Sequence, residues 1–291
     1  MFKGSMVAIV TPFDRQGNFD EETYRQLIEF QIENGTDAII PCGTTGESAT
    51  LDFEEHDRVI EVCIDQVKKR IPVIAGTGAN STAEAVDLSL HAKKMGADGL
   101  LLVSPYYNKP SQEGLYQHYK KIAETVALPQ VLYNVPGRTG MNMEAKTTIR
   151  LANFPNIVAI KEASGNVTQA SEILDKAGGK IDVLSGDDFL TLPLMACGAT
   201  GVISVTANIA PKQVKAMVAA INAGNWAAAK TLHLDLLELH QAMFIESNPV
   251  PVKTSLELMG KIAAHVRLPL VPMQAGSLAK LTAVLKKQGM L

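Results

Sequence analysis

Eight short runs of apolar residues recur through the first two-thirds of the chain, and each is nearly continuous instead of alternating. They span residues 7–10, 38–40, 72–75, 100–103, 131–133, 157–160, 182–184 and 201–205. A strand with one wet face alternates apolar and polar side chains. A strand covered on both faces does not, and it belongs to a parallel sheet with helices packed outside it. The runs follow one another at intervals of roughly 20–35 residues, the unit size of a (β/α)8 TIM barrel. A doubly wound sheet is the other α/β arrangement to weigh, but no Gly-x-Gly-x-x-Gly loop follows the first run.

Helical patterns with start and stop signals fill the gaps. Asp20 precedes Tyr24, Leu27, Ile28 and Ile32, and Gly35 follows. Asp52 opens a second helix with Glu55 at the capping-box position, and Ser81 opens a third with Glu84 three residues on and Gly96 at its end. Ser111 opens a fourth, and Asn166 and Asp188 open later ones. Beyond the last strand, helices are expected over 213–223, 226–245, 252–262 and 277–287. The expected organisation is a catalytic barrel over 1–210 and a C-terminal helical appendage over 211–291.

Composition bounds what such a barrel could serve. Lys plus Arg is 27 and Asp plus Glu is 30, a net charge of -3, which leaves no electrostatic footprint for nucleic acid or an anionic membrane surface. No stretch approaches the roughly 18 apolar residues of a membrane span. The first residues lack the charged, apolar and small-residue regions of a secretory leader. Cys42, Cys63 and Cys197 are an odd, sparse set, which favours a reducing, cytoplasmic setting over a disulfide framework. Neither they nor the six scattered histidines have metal-site spacing, so no metal is expected.

Barrel enzymes carry their chemistry at the C-terminal ends of the strands. Those ends include Gly43-Thr44-Thr45-Gly46-Glu47-Ser48, Ser104-Pro105-Tyr106-Tyr107, Tyr133-Asn134-Val135-Pro136-Gly137-Arg138-Thr139, Lys161-Glu162 and Ser185-Gly186-Asp187-Asp188. Lys161 directly follows an apolar run. Burial disfavours its charged form, and a neutral amine is what attacks a carbonyl to form a Schiff base. A structural lysine paired with a carboxylate such as Glu162 is the alternative. Tyr133 can relay a proton or be a core phenol with a backbone partner. The glycines around Thr44 and Thr45 let backbone N–H groups approach a carboxylate, or they simply form a turn. Arg138 can grip a carboxylate bidentately or lie on the surface.

Taken in this order and spacing, the Gly43–Ser48 turn, the Tyr133–Thr139 segment and Ile160-Lys161-Glu162 resemble the dihydrodipicolinate synthase family of pyruvate-dependent class I aldolases. Ser104 to Gly114, residues 201–205 and the start from Gly4 to Pro12 extend the resemblance over essentially the whole chain. It implies that Lys161 forms the imine with pyruvate. It makes Thr44, Tyr133 and Tyr107 a proton relay, with Tyr107 supplied by the neighbouring subunit of a tight dimer. Thr45 and nearby backbone would hold the pyruvate carboxylate, and Arg138 the carboxylate of aspartate semialdehyde. Gly186 and Ile203 would line the pocket. The implied product is 4-hydroxy-tetrahydrodipicolinate, a lysine and diaminopimelate precursor, made without metal or organic cofactor by a homotetramer of two tight dimers. Two other functions compete: a sister aldolase such as N-acetylneuraminate lyase, and an idle barrel serving as a binding module. Arg138 and the double threonine favour the synthase over the first, and the joint presence of Lys161, Tyr133, Thr44 and Arg138 over the second.

The resemblance also implies feedback inhibition by L-lysine at a cleft formed by Ser48, Ala49, His56, Asn80, Glu84 and Tyr106, with Phe53 beside them where lysine-sensitive relatives often carry His. Glu84 would pair with the ligand's ammonium, and Asn80 and Tyr106 would meet its carboxylate. Losing one hydrogen bond at Phe53 would weaken binding roughly 2–10-fold. Each residue also has a plainer role: Glu84 in a capping box, His56 on a solvated helix face, Tyr106 in interface packing.

Overall fold

The computed structural model describes residues 1–291. Eight strands alternate with helices: β1 Gly4–Ala8, α1 Glu21–Glu33, β2 Ala38–Ile40, α2 Phe53–Val67, β3 Ile74–Gly76, α3 Thr82–Met95, β4 Gly99–Val103, α4 Gln112–Thr125, β5 Gln130–Asn134, α5 Pro136–Thr139, α6 Ala145–Leu151, β6 Ile157–Glu162, α7 Val167–Lys176, β7 Asp182–Ser185, α8 Thr191–Ala196, β8 Gly201–Ser204, α9 Pro211–Asn222, α10 Trp226–Ala242, α11 Val250–Leu258 and α12 Ala275–Lys287. Each of the eight apolar runs overlaps a strand. Every neighbouring pair is parallel, in the order β2-β1-β8-β7-β6-β5-β4-β3. A bridge between Ile39 and Val73, with Ile39 N–H donating to Pro72 O, brings β2 to β3 and closes the barrel.

The continuous apolar runs divide by parity into two cores. Met6, Ala8, Leu101, Val131, Ala159, Leu184 and Ile203 fill the barrel, while Val7, Leu100, Leu132, Ile160, Val183 and Val202 pack under the helices. The expected caps form: Asp20, Asp52, Ser81, Ser111 and Asn166 each accept the N–H three residues on. Asp188 departs from expectation. It starts only a short 3-10 turn over Asp188–Leu190, and its buried carboxylate turns inward to accept from the Ser204 hydroxyl and the Val205 and Thr206 N–H groups. Three donors from the end of β8 outweigh a cap on a short helix.

After β8, α9 packs on β1, and α10, α11 and α12 follow as a helical segment. The loop between α10 and α11 returns to the barrel mouth and supplies part of its wall. No helix is long and apolar enough to cross a membrane.

Candidate active site

Parity sets the direction of Lys161. Ala159 faces the barrel interior and Ile160 the helices, so Lys161 points inward and Glu162 outward. The expected alternative, a Lys161–Glu162 pair, is therefore not formed. The Glu162 carboxylate instead accepts from Asn134, Gln169 and the Ser164 N–H.

Lys161 is 5% exposed and lines a cavity of about 470 Å³ at the C-terminal mouth of the barrel. Its ammonium makes no hydrogen bond or ion pair, and Nζ lies 4.4 Å from the centre of the Tyr133 ring. Burial brings its pKa down to about 8. The Asp187 and Asp188 carboxylates oppose that fall, and Arg138 adds to it. Asp187 lines the same cavity and is lifted to about 6 by its own burial, against the pull of Lys161. Burial also pushes the Tyr133 phenol up to about 12, while Arg138 and the Thr44 hydroxyl favour its phenolate.

The turn after β2 has the geometry to receive an anion. Cys42 and Glu47 bracket it in the left-handed region, at φ 53° and 55°. Gly76 gives it room, since a Cβ there would lie 2.2 Å from Cys42 O. Within the turn, Gly46 and Glu47 N–H groups donate back to Gly43 O and Thr44 O, whereas the N–H groups of Thr44 and Thr45 bond nothing in the protein. Two free amides, each beside a threonine hydroxyl, can receive a carboxylate. Arg138 stands on α5, a helix the sequence did not suggest, and donates to Asn248 O at 3.2 Å. It has no carboxylate partner.

Thus Thr44, Thr45, Tyr133, Arg138, Lys161 and Gly186 share one cavity. Gly186 is there because β7 ends against β6: a Cβ would meet that of Ala163 at 2.6 Å. Ile203 lies in the apolar filling of the barrel, not on the cavity wall. Tyr107 is not in the cavity of its own chain. It is 90% exposed, with φ at 72°. Asp187, Glu246 and Asn248 complete the wall without having been singled out in the sequence. Asp187 follows Gly186 in a segment already marked as a strand end; the other two arrive from the helical tail and carry no local signal.

A second cavity of about 330 Å³ brings together Ser48, Ala49, His56, Glu84 and Tyr106, and shares Thr44, Arg138 and Asn248 with the first. Asn80 stands behind it, donating to Tyr106 O at 3.1 Å. Phe53 is exposed and off the wall. His56 is not a solvated helix residue: it is buried, bonded through Nε2 to Gly76 O at 2.9 Å, and its burial lowers its pKa.

A parallel barrel whose mouth cavity is lined by a buried, unpartnered lysine and by two threonines with free backbone amides fits the class of enzymes that capture a small keto acid as an imine. The chain belongs to the dihydrodipicolinate synthetase family, whose model matches residues 1–288. It is 68% identical over 291 residues to the 4-hydroxy-tetrahydrodipicolinate synthase of Syntrophotalea carbinolica, covering 100% of this chain and 99% of the relative. It superposes with a TM-score of 0.98 on the chloride-inhibited dihydrodipicolinate synthase of Acinetobacter baumannii complexed with pyruvate, at 51% identity and 100% coverage of both chains. The enzyme of Cyanidioschyzon merolae with lysine bound aligns at a TM-score of 0.97 and 41% identity, over 100% of this chain and 99% of that one.

Proposed function

We infer that the chain condenses pyruvate with L-aspartate 4-semialdehyde to give 4-hydroxy-tetrahydrodipicolinate and water. The observation that carries this is the free, buried Lys161 amine beside Tyr133 and the unbonded Thr44 and Thr45 amides. The neutral amine attacks the keto carbon of pyruvate, whose carboxylate rests on the turn. Tyr133, with Thr44, passes the protons that turn the carbinolamine into an imine as water leaves. Loss of a methyl proton gives an enamine, which attacks the aldehyde carbon of the second substrate while Arg138 holds its carboxylate. The amino group of that substrate then attacks the imine carbon, closes the ring and releases Lys161. The imine nitrogen is the electron sink throughout.

Tyr107 completes the relay from the neighbouring subunit. Its exposure and its distance from the cavity of its own chain support that role. The assembly is a homotetramer of two tight dimers in the cytoplasm. Ile203 supports the site from beneath.

The test is an assay with pyruvate and aspartate semialdehyde beside one with N-acetylneuraminate. Turnover of the first pair and none of the sugar acid is expected; the reverse would assign a sister lyase.

The second cavity is proposed to take L-lysine as an inhibitor, with Glu84 meeting its ammonium, because five of the residues expected there converge and the wall is shared with the active site. Titration of L-lysine at saturating pyruvate should inhibit the parent and inhibit Glu84→Ala less. Equal inhibition of both would remove Glu84 from the site.

A further inference from the structure

We propose that Asn248 is a positioning residue that fixes the Thr45 hydroxyl as a hydrogen-bond donor to the pyruvate carboxylate and ties it to Arg138. This rests on Thr45 holding that carboxylate.

Asn248 lies just ahead of α11, more than 200 residues from the turn it touches. It is 5% exposed and forms part of the wall of both cavities. Its side-chain Nδ2 donates to Thr45 Oγ1 at 2.9 Å, and its main-chain oxygen accepts from Arg138 Nη2 at 3.2 Å. One residue therefore stands between the groups that hold the carboxylates of the two substrates. The direction of the first bond matters. A hydroxyl that accepts from an amide N–H keeps its own hydrogen free to donate. The Thr45 hydroxyl donates to no protein group, so its hydrogen is free for an anion beside the two unbonded amides of the turn. The same tail segment holds the turn at a second point: Lys253, one turn into α11, bonds Glu47 Oε1 at 2.6 Å.

The substitutions Asn248→Ala and Asn248→Asp separate this role from packing. Alanine removes the donor. Aspartate keeps the shape but reverses the polarity: its carboxylate takes the Thr45 hydrogen and sets a negative charge beside the pyruvate carboxylate. The measurement is the pyruvate concentration that half-saturates borohydride trapping of the imine, a half-reaction that does not involve the second substrate. Asn248→Ala should raise it roughly 2–10-fold, the scale of one hydrogen bond. Asn248→Asp should raise it further, with maximal labelling retained in both. In a Thr45→Val background Asn248→Ala should add nothing.

A shape-conserving Asp milder than Ala would overturn the proposal, since that is the order expected of packing or of the opposite amide orientation. So would an equal effect of Asn248→Ala in both backgrounds, and this comparison decides alone if thermal unfolding shows that the Asp variant does not fold. If Thr45→Val saturates with pyruvate as the parent does while Lys161 is still labelled, Thr45 loses its role and the proposal falls with it, but the imine chemistry stands.

Discussion

Two lysines are buried in this protein, and they differ in little but their partners. Lys161 ends β6 and Lys253 lies in α11; both are almost wholly shielded, and burial lowers each to a pKa of about 8. Each ammonium sits over an aromatic ring, 4.4 Å from Tyr133 in one case and 4.2 Å from Phe13 in the other. Lys253 is satisfied, with Glu47 Oε1 at 2.6 Å and Thr11 O at 2.8 Å, and Glu47 Oε2 in turn accepts the Arg267 N–H. Lys161 has none of this and opens onto a cavity. A depressed pKa therefore does not mark a nucleophile by itself. What separates the two is the absence of a partner and room for a carbonyl in front of the amine.

The sharpest break between the two is catalytic. Lys161→Met should cost on the order of 10⁴–10⁶ in kcat, the scale of removing a covalent nucleophile, with little loss of stability. Residual turnover within a hundredfold of the parent would move the nucleophile elsewhere. Tyr133→Phe keeps the ring under Lys161 and removes only the hydroxyl. It should cost about 10²–10⁴ in kcat with the fold intact, as expected for a proton relay; activity within a few-fold would leave Tyr133 a packing residue.

Lys253→Met should act on folding. It strands the Glu47 carboxylate in the interior, and breaking one side of such a pair costs about 3–5 kcal/mol in denaturant unfolding. Adding Glu47→Gln removes the stranded charge and should recover part of the loss. No destabilisation by the single variant would mean that the pair is not a buried strut.

The smallest expected effect is on pH. Imine formation with pyruvate should rise as pH passes about 8, where Lys161 loses its proton. The Asp187 charge favours the ammonium, so Asp187→Asn should move that midpoint down, by a fraction of a unit. A midpoint that stays or rises would show that Asp187 does not reach the amine.

The same comparison shows what the sequence could carry. Lys161 was legible because it breaks an apolar run at a strand end, a local pattern with a known place in a barrel. Period-two geometry also decides between Lys161 and Glu162 once β6 is assigned, since adjacent strand residues face opposite ways. Lys253 was not legible. It sits among Val250, Pro251, Val252, Thr254 and Ser255, with no periodic signature, and its partner is 206 residues away. Asn248 and Glu246 belong to a tail read only as helices, so their return to the barrel mouth had no local trace. Asp188 looks like a helix opener because capping is a local rule, whereas its partners lie at the end of β8 and just beyond it. Strand runs, caps and the ring of polar strand ends survive because neighbours in sequence make them. Long-range polar pairs do not.

The most direct test is to treat the protein with pyruvate and borohydride and map the modified peptide. The account predicts one reduced pyruvyl group, on Lys161, with Lys253 unmodified despite its equally low pKa, and no label in Lys161→Met. Label on Lys253, or unchanged mass in the parent, would contradict it.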